Sequence, residues 1–185
     1  VRDFFHADVH TFDPADPILS NIPVFFTRWI THFCAPTFVF LSGASIAFVA
    51  SRKTTSETRT FLLSRGCWLM ICDAFIVSFL WLFDLDFDLF ILGVIWVIGL
   101  AMVCSAFVFK LNSRILLGLA LAIVVGHHSL DFLNHDNPSL LHAVLHQQWR
   151  FELDFGSVAV AYPLFPWLGV MWGGIVLGRS CLKMP

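Results

Sequence analysis

Apolar positions gather into five long blocks, Phe33–Ala50, Phe61–Phe83, Leu89–Phe109, Ile115–Leu133 and Tyr162–Gly178, separated by shorter stretches that carry most of the charge. Each block approaches the ~20 residues that a helix needs to cross a bilayer's hydrocarbon core. Backbone groups in lipid find no water, so a spanning segment must satisfy them internally, as a helix does. The pattern therefore predicts an all-α integral membrane protein, a bundle of about five transmembrane helices. The first of these is entered early enough to run over residues 23–50. Composition agrees: only 13% of the 185 residues are charged, against about 25% in a soluble domain, and mean hydropathy is +0.80.

Basic residues assign the sides. Arg52, Lys53, Arg59 and Arg65 follow the first block, Lys110 and Arg114 the third, and Arg179 and Lys183 the fifth. Only Arg2, Arg28 and Arg150 fall on the opposite face, so the first face is cytoplasmic by the positive-inside rule. The acids mirror this, with Asp84, Asp86, Asp88, Glu152 and Asp154 among those outside. The formal net charge of −2 thus hides a polarised molecule and gives no reason to expect nucleic-acid binding. Residue 1 falls on the outer side, with no initiator methionine or signal peptide before it. An outside start implies an earlier helix, and Pro185 follows a span closely, so the chain reads as part of a longer protein.

Small residues recur four apart: Gly43, Ala47 and Ser51; Gly118, Ala122 and Gly126; Gly169 and Gly173; Gly174 and Gly178. Such ridges admit close helix contact in lipid, either inside the bundle or at a homodimer seam. Cys34, Cys67, Cys72 and Cys104 lie in spans and Cys181 at the cytoplasmic edge, which makes them small apolar residues rather than a disulfide framework.

Chemistry-bearing residues collect on the outer face. His6, His10, His127, His128, His135, His142 and His146 lie there, and His32 sits just inside the first span. Imidazole is the side chain suited to moving protons near neutral pH. Asp3 and Asp8 flank His6 and either could orient its ring, while His10 is one helical turn further on. Asn137-Pro138 predicts a short helix over 138–149, with Asn137 as cap. His142 and His146 share a face of that helix, but a zinc protease needs Glu after the first His, and Ala143 stands there, so no metal is expected. Asp73 sits inside the second span, where a carboxylate costs a few kcal/mol unless partnered. It makes either a structural hydrogen bond or part of a proton or substrate path.

Two runs go further: Val1-Arg-Asp-Phe-Phe-His-Ala-Asp, and Thr27-Arg-Trp-Ile-Thr-His-Phe-Cys-Ala-Pro-Thr-Phe-Val-Phe-Leu-Ser-Gly. With Leu63-Ser-Arg-Gly-Cys-Trp-Leu, Val94-Ile-Trp-Val-Ile-Gly-Leu-Ala-Met-Val and Pro163-Leu-Phe-Pro-Trp-Leu-Gly-Val-Met, they resemble bacterial membrane proteins related to heparan-α-glucosaminide N-acetyltransferase. The resemblance implies a larger multi-helix acyltransferase bundle in a bacterial inner membrane, with a helix before residue 1 and further spans after Gly178. It implies acetyl-CoA or another acyl-CoA as cytosolic donor and a sugar or glycan amine or hydroxyl as outer acceptor. His6, followed by Ala7, matches the family's catalytic histidine, which makes His6, Asp8 and Asp3 the expected catalytic group. His10, Arg28, His32, His127, His128 and Asp73 are the expected substrate-binding residues. The competing expectation is a non-catalytic polytopic protein, a transporter or a glycan- or lipid-binding protein, on the same scaffold.

Overall fold

The computed structural model describes residues 22, 26, 29–30, 32–77, 79–80, 89–133, 137–153 and 156–183, with the side chains at 130, 131 and 133 left aside. The chain forms two compact units, Val1–Phe38 and Val39–Pro185. Within the first, Trp29 and Phe33 meet edge to face at 5.1 Å, and Thr37 Oγ1 donates to the Phe33 carbonyl at 2.7 Å.

The described residues are mostly helical. Helix α1 is Cys34–Arg52 and α2 is Thr55–Ile71, which passes into a π-helical turn, Cys72–Val77. Helix α3 is Val94–Val108 and α4 is Ser113–Gly126, which tightens into a 3₁₀ segment, His127–Leu133. A short α5, Leu140–Leu145, and a long α6, Leu164–Cys181, complete the helices. Local chemistry sets their starts. Thr54 and Glu57 form a reciprocal capping box at the head of α2, which satisfies two orphan donors and lets α2 begin three residues after α1 stops. Asn112 Oδ1 accepts from the Arg114 amide at 2.9 Å to open α4.

Two segments, Cys34–Arg52 and Thr55–Val77, are long and apolar enough to cross a membrane, and only 28% and 17% of their most apolar windows are buried. A soluble core helix of that hydropathy would be mostly covered. Here Phe38, Leu41, Phe48, Trp68, Ile71, Phe75 and Ile76 are exposed, a distribution compatible with a membrane setting, where lipid covers them.

Three features depart from the sequence expectation. First, the fold is not purely helical. Strands β1 (Leu89–Leu92), β2 (Trp149–Leu153) and β3 (Gly156–Val160) form a sheet of order β1-β3-β2. The β1–β3 pair is parallel, with Leu89 opposite Ser157, and β2–β3 is an antiparallel hairpin, with Trp149 opposite Val160. Gly156, at φ 136°, adopts the left-handed backbone at the start of β3. Leu89–Leu92 is apolar throughout, so its run merged with that of α3, and periodicity alone does not separate a short buried strand from a helix. Second, the helix expected over 138–149 is only α5, capped by Ser139, whose Oγ accepts from the His142 amide at 3.3 Å, rather than by Asn137. Recruitment of Trp149 into β2 ends the helical run early. Third, Cys34 and Cys67 are exposed rather than buried as small apolar residues, although all five cysteines are free, as expected.

Glycine faces hold the helices together. A Cβ on Gly43 would collide with the Met171 carbonyl, one on Gly174 with the Phe40 carbonyl, and one on Gly178 would lie 2.6 Å from the Ala44 carbonyl. These three join α1 to α6. Gly169 turns another side of α6 toward α4, 2.8 Å from the Ala120 carbonyl. Gly66 and Gly99, absent from the four-residue ridges, seat α2 against α3 with reciprocal approaches of 2.6 Å to each other's carbonyl. Gly118 and Gly126, by contrast, have open space where a Cβ would go, and Gly173 meets only an ordinary contact with Phe40. Between α3 and α6, Trp172 Nε1 donates to Ser105 Oγ at 3.2 Å, a buried polar link of the kind that ties helices in lipid.

Candidate functional site

The second apolar block changes character at Asp73. After seventeen α-helical residues the backbone widens into the π turn, a local expansion that is common where a helix must aim one side chain. Asp73 is only 2% exposed. Its Oδ2 accepts from the Gly93 amide at 2.6 Å, and the Trp96 amide also reaches the carboxylate. The reason is at the head of α3. Gly93 is the N-cap there and has no side chain to bond the free amides; a carboxylate from the neighbouring helix does so instead and meets the positive end of the helix dipole. Gly93 also makes room for it, since a Cβ there would lie 3.1 Å from Oδ2. Asp73 is therefore level with the N-terminal start of α3, not halfway along it.

A cavity of about 300 Å³ opens beside this carboxylate, lined by Asp73, Val77, Ile91, Gly93, Val94, Ile95, Ala161 and Tyr162. The π turn supplies one wall, the first turn of α3 another, and β1 and the residues after β3 the rest. Among these lining residues Asp73 alone is a carboxylate and Tyr162 alone carries a hydroxyl.

A second cavity of about 300 Å³ lies between the end of α4 and the start of α6, lined by Ala122, Ile123, Gly126, His127 and Phe165. His127 Nδ1 is 2.7 Å from the Val124 carbonyl. A carbonyl only accepts, so Nδ1 carries the hydrogen and the neutral ring keeps its lone pair on Nε2. The His128 ring lies tilted against it, with centroids 4.0 Å apart. The two cavities share no lining residue, so Asp73 and His127 are not brought together in one pocket.

Other expected site residues fall as follows. His6, Asp8, Asp3, His10 and Arg28 lie outside the described residues, and His32 is exposed in the first unit. His142 and His146 do face one another, edge to face at 5.9 Å, and no group of three metal-ligating side chains occurs among the described residues. At the other end of α3, two of the basic residues are committed to its last turn. Arg59 Nε donates to the Ala106 carbonyl at 3.2 Å. Arg179 Nη1 donates to the Leu111 carbonyl at 2.7 Å, and Nη2 to that of Phe109. Both complement the negative end of that helix. Sequence reading missed Gly93, Ala161 and Tyr162 as wall residues; the only available signal was that Tyr162, a lone tyrosine, opens the last apolar block.

No curated protein and no solved structure gives a significant match to this chain. The model of one family, described as heparan-alpha-glucosaminide N-acetyltransferase, catalytic, matches residues 5–184. That match runs through the blocks that build α1, α2, α3 and α6 and through the π turn with its carboxylate, so the chain belongs to the heparan-α-glucosaminide N-acetyltransferase catalytic family.

Proposed function

We propose that the protein is a multi-pass membrane acyltransferase, moving an acetyl or other acyl group from acyl-CoA on its basic face to the amine or hydroxyl of a sugar on the opposite face. The observation that carries this reading is the family match across residues 5–184. Two others support it. Exposed cations at Arg52, Lys53, Lys110 and Arg114 remain on the cytoplasmic side after Arg59 and Arg179 have bonded α3, a suitable surface for CoA phosphates. The buried carboxylate stands at the outer head of α3 with a cavity beside it, where a transporter would need it along a midplane path.

In this mechanism the acceptor nitrogen or oxygen attacks the thioester carbonyl, its proton passes to His6, and CoA leaves as the thiol after taking a proton back. Asp3 and Asp8 orient the imidazole and stabilise its charged form. A positioned base contributes ~10²–10⁴-fold to such a step. The test uses the intact protein in proteoliposomes, with labelled acetyl-CoA outside the basic face and glucosamine on the other. His6→Ala should reduce transfer by ~10²-fold or more and leave acetyl-CoA binding unchanged. Wild-type protein that transfers no label to any amine or hydroxyl sugar overturns the acyltransferase reading. Full activity in His6→Ala, with loss in His127→Ala, moves the base to the end of α4.

A further inference from the structure

We propose that the open edge of β2 pairs with β2 of a second copy of this chain, antiparallel and centred on Phe151, so that two three-stranded sheets join edge to edge across a two-fold axis. The inference concerns assembly and stands independently of the acyltransferase reading.

The strand order β1-β3-β2 leaves β2 at the margin of the sheet, and among the described residues no strand pairs with its other side. An edge strand turns part of its backbone N–H and C=O groups away from its neighbour, which makes it a template for another strand. Proteins blunt such edges with proline, bulges or charges of one sign. None of these devices is present here. Trp149–Leu153 contains no proline, and it pairs with β3 residue for residue along its whole length, without a bulge. Arg150, Glu152 and Leu153 are exposed.

The two charges select both the partner and the register. Strand alternation puts Trp149, Phe151 and Leu153 on one face and Arg150 with Glu152 on the other. An antiparallel pairing centred on Phe151 sets Arg150 of each copy opposite Glu152 of the other, and Trp149 opposite Leu153. Centring on Arg150 would oppose arginine to arginine, and centring on Glu152 would oppose two glutamates, arrangements that like charge disfavours. A strand carrying only acids or only bases would find one match and one clash at this edge. A second copy finds two matches, the self-complementary contact that a two-fold interface requires. Each hairpin already holds its charges in place. Arg150 Nε lies 2.8 Å from Glu152 Oε1, while Ser157 Oγ donates to Glu152 Oε2 at 2.6 Å and accepts from Arg150 Nη2 at 3.0 Å. Ser157 stands on β3 opposite Glu152, so both charges are anchored over one face of the sheet. Their side chains remain 57% and 72% exposed, which leaves them accessible to a partner.

The test uses the intact protein in mild detergent, with the oligomeric state read by native mass spectrometry and by co-purification of two differently tagged chains. Glu152→Arg and Arg150→Glu should each raise the dimer Kd at least ten-fold, because like charges then face one another across the axis. Mixed one to one, the two variants should associate with wild-type affinity, the all-arginine edge against the all-glutamate edge. Mixing cannot mend an ion pair lost inside one hairpin, so this rescue separates an interface from a purely internal role. Phe151→Cys, with the native cysteines removed, is the test if a charge variant fails to fold. Directly opposite Cα atoms in an antiparallel pair are ~4.5–5.5 Å apart, within the span of a disulfide. Mild oxidation should therefore link two chains through position 151, and adding Glu152→Arg should suppress the link. A monomeric wild-type protein overturns the proposal. So does a dimer that keeps its affinity in both charge variants, a pair of weakened variants that mixing does not rescue, or a dimer that Phe151→Cys does not cross-link.

Discussion

Replacing Gly66 or Gly99 with alanine tests how α2 and α3 are joined. A Cβ on Gly66 would lie 2.6 Å from the Gly99 carbonyl oxygen, and one on Gly99 would lie 2.6 Å from the Gly66 carbonyl oxygen and 2.9 Å from Met70 Cγ. A relaxed carbon–oxygen contact is about 3.3 Å or longer, so either alanine pushes the two backbones apart by roughly 0.7 Å. Backbone atoms have no rotamer to escape into, so over-packing of this kind costs about 1–3 kcal/mol. Alanine's better helix propensity returns up to ~1 kcal/mol, leaving a net loss of up to ~2 kcal/mol for each single variant. The double variant is more diagnostic. Once the first methyl has parted the helices, the second finds space already made, so the pair should cost less than the sum, by at least ~0.5 kcal/mol. Unfolding by SDS in mixed micelles, followed by tryptophan fluorescence, measures all three variants. Gly118→Ala is the control, since nothing lies within 4 Å of its missing Cβ. Additive single losses, or losses no larger than that of Gly118→Ala, would refute the reciprocal contact.

Two further predictions concern the cytoplasmic side. With native cysteines removed, Ser139→Cys should react with an impermeant maleimide added to intact cells, and Ser56→Cys only after lysis; the opposite pattern overturns the side assignment made from the basic residues. Arg179→Met should lower stability by about 2 kcal/mol, the net worth of charge-assisted hydrogen bonds to the Phe109 and Leu111 carbonyls, with donor KM unchanged; a raised donor KM at unchanged stability would make Arg179 a CoA ligand instead.

The helices were legible because the apolar blocks are long, and length favours a helix over a strand, though only the first two blocks give helices long enough to cross a membrane. Boundaries shifted where local chemistry intervened: the Thr54–Glu57 box moved α2 forward to Thr55, and the π turn at Cys72 interrupted it before the apolar residues ran out. The sheet was hidden for a different reason. Leu89–Leu92 has no alternation to betray a strand, and its partner Gly156–Val160 lies far along the chain, so only tertiary pairing distinguishes it from the head of α3. Among the glycines, spacing found Gly43, Gly174 and Gly178 but overlooked Gly66 and Gly99, which act as single residues facing one another across two helices. Asp73 stood out as a lone charge in an apolar run. Its hydrogen bond to Gly93 was not readable, because the donor belongs to another helix and is backbone, which leaves no side-chain signature.

The parallel pairing of β1 with β3 has a consequence for biosynthesis. Helices α2, α3 and α4 can form in order as they are made, each satisfied by its own backbone. Strand β1 cannot pair until the hairpin that precedes α6 has been synthesised. Ile91 and Ala161, two walls of the cavity beside Asp73, meet only at that moment. Nascent chains stalled before residue 156 would thus hold the carboxylate and its cap on α3 with the far wall still missing. Contacts so distant in sequence form late and slowly, so the closed cavity would be the last part of the growing protein to take shape.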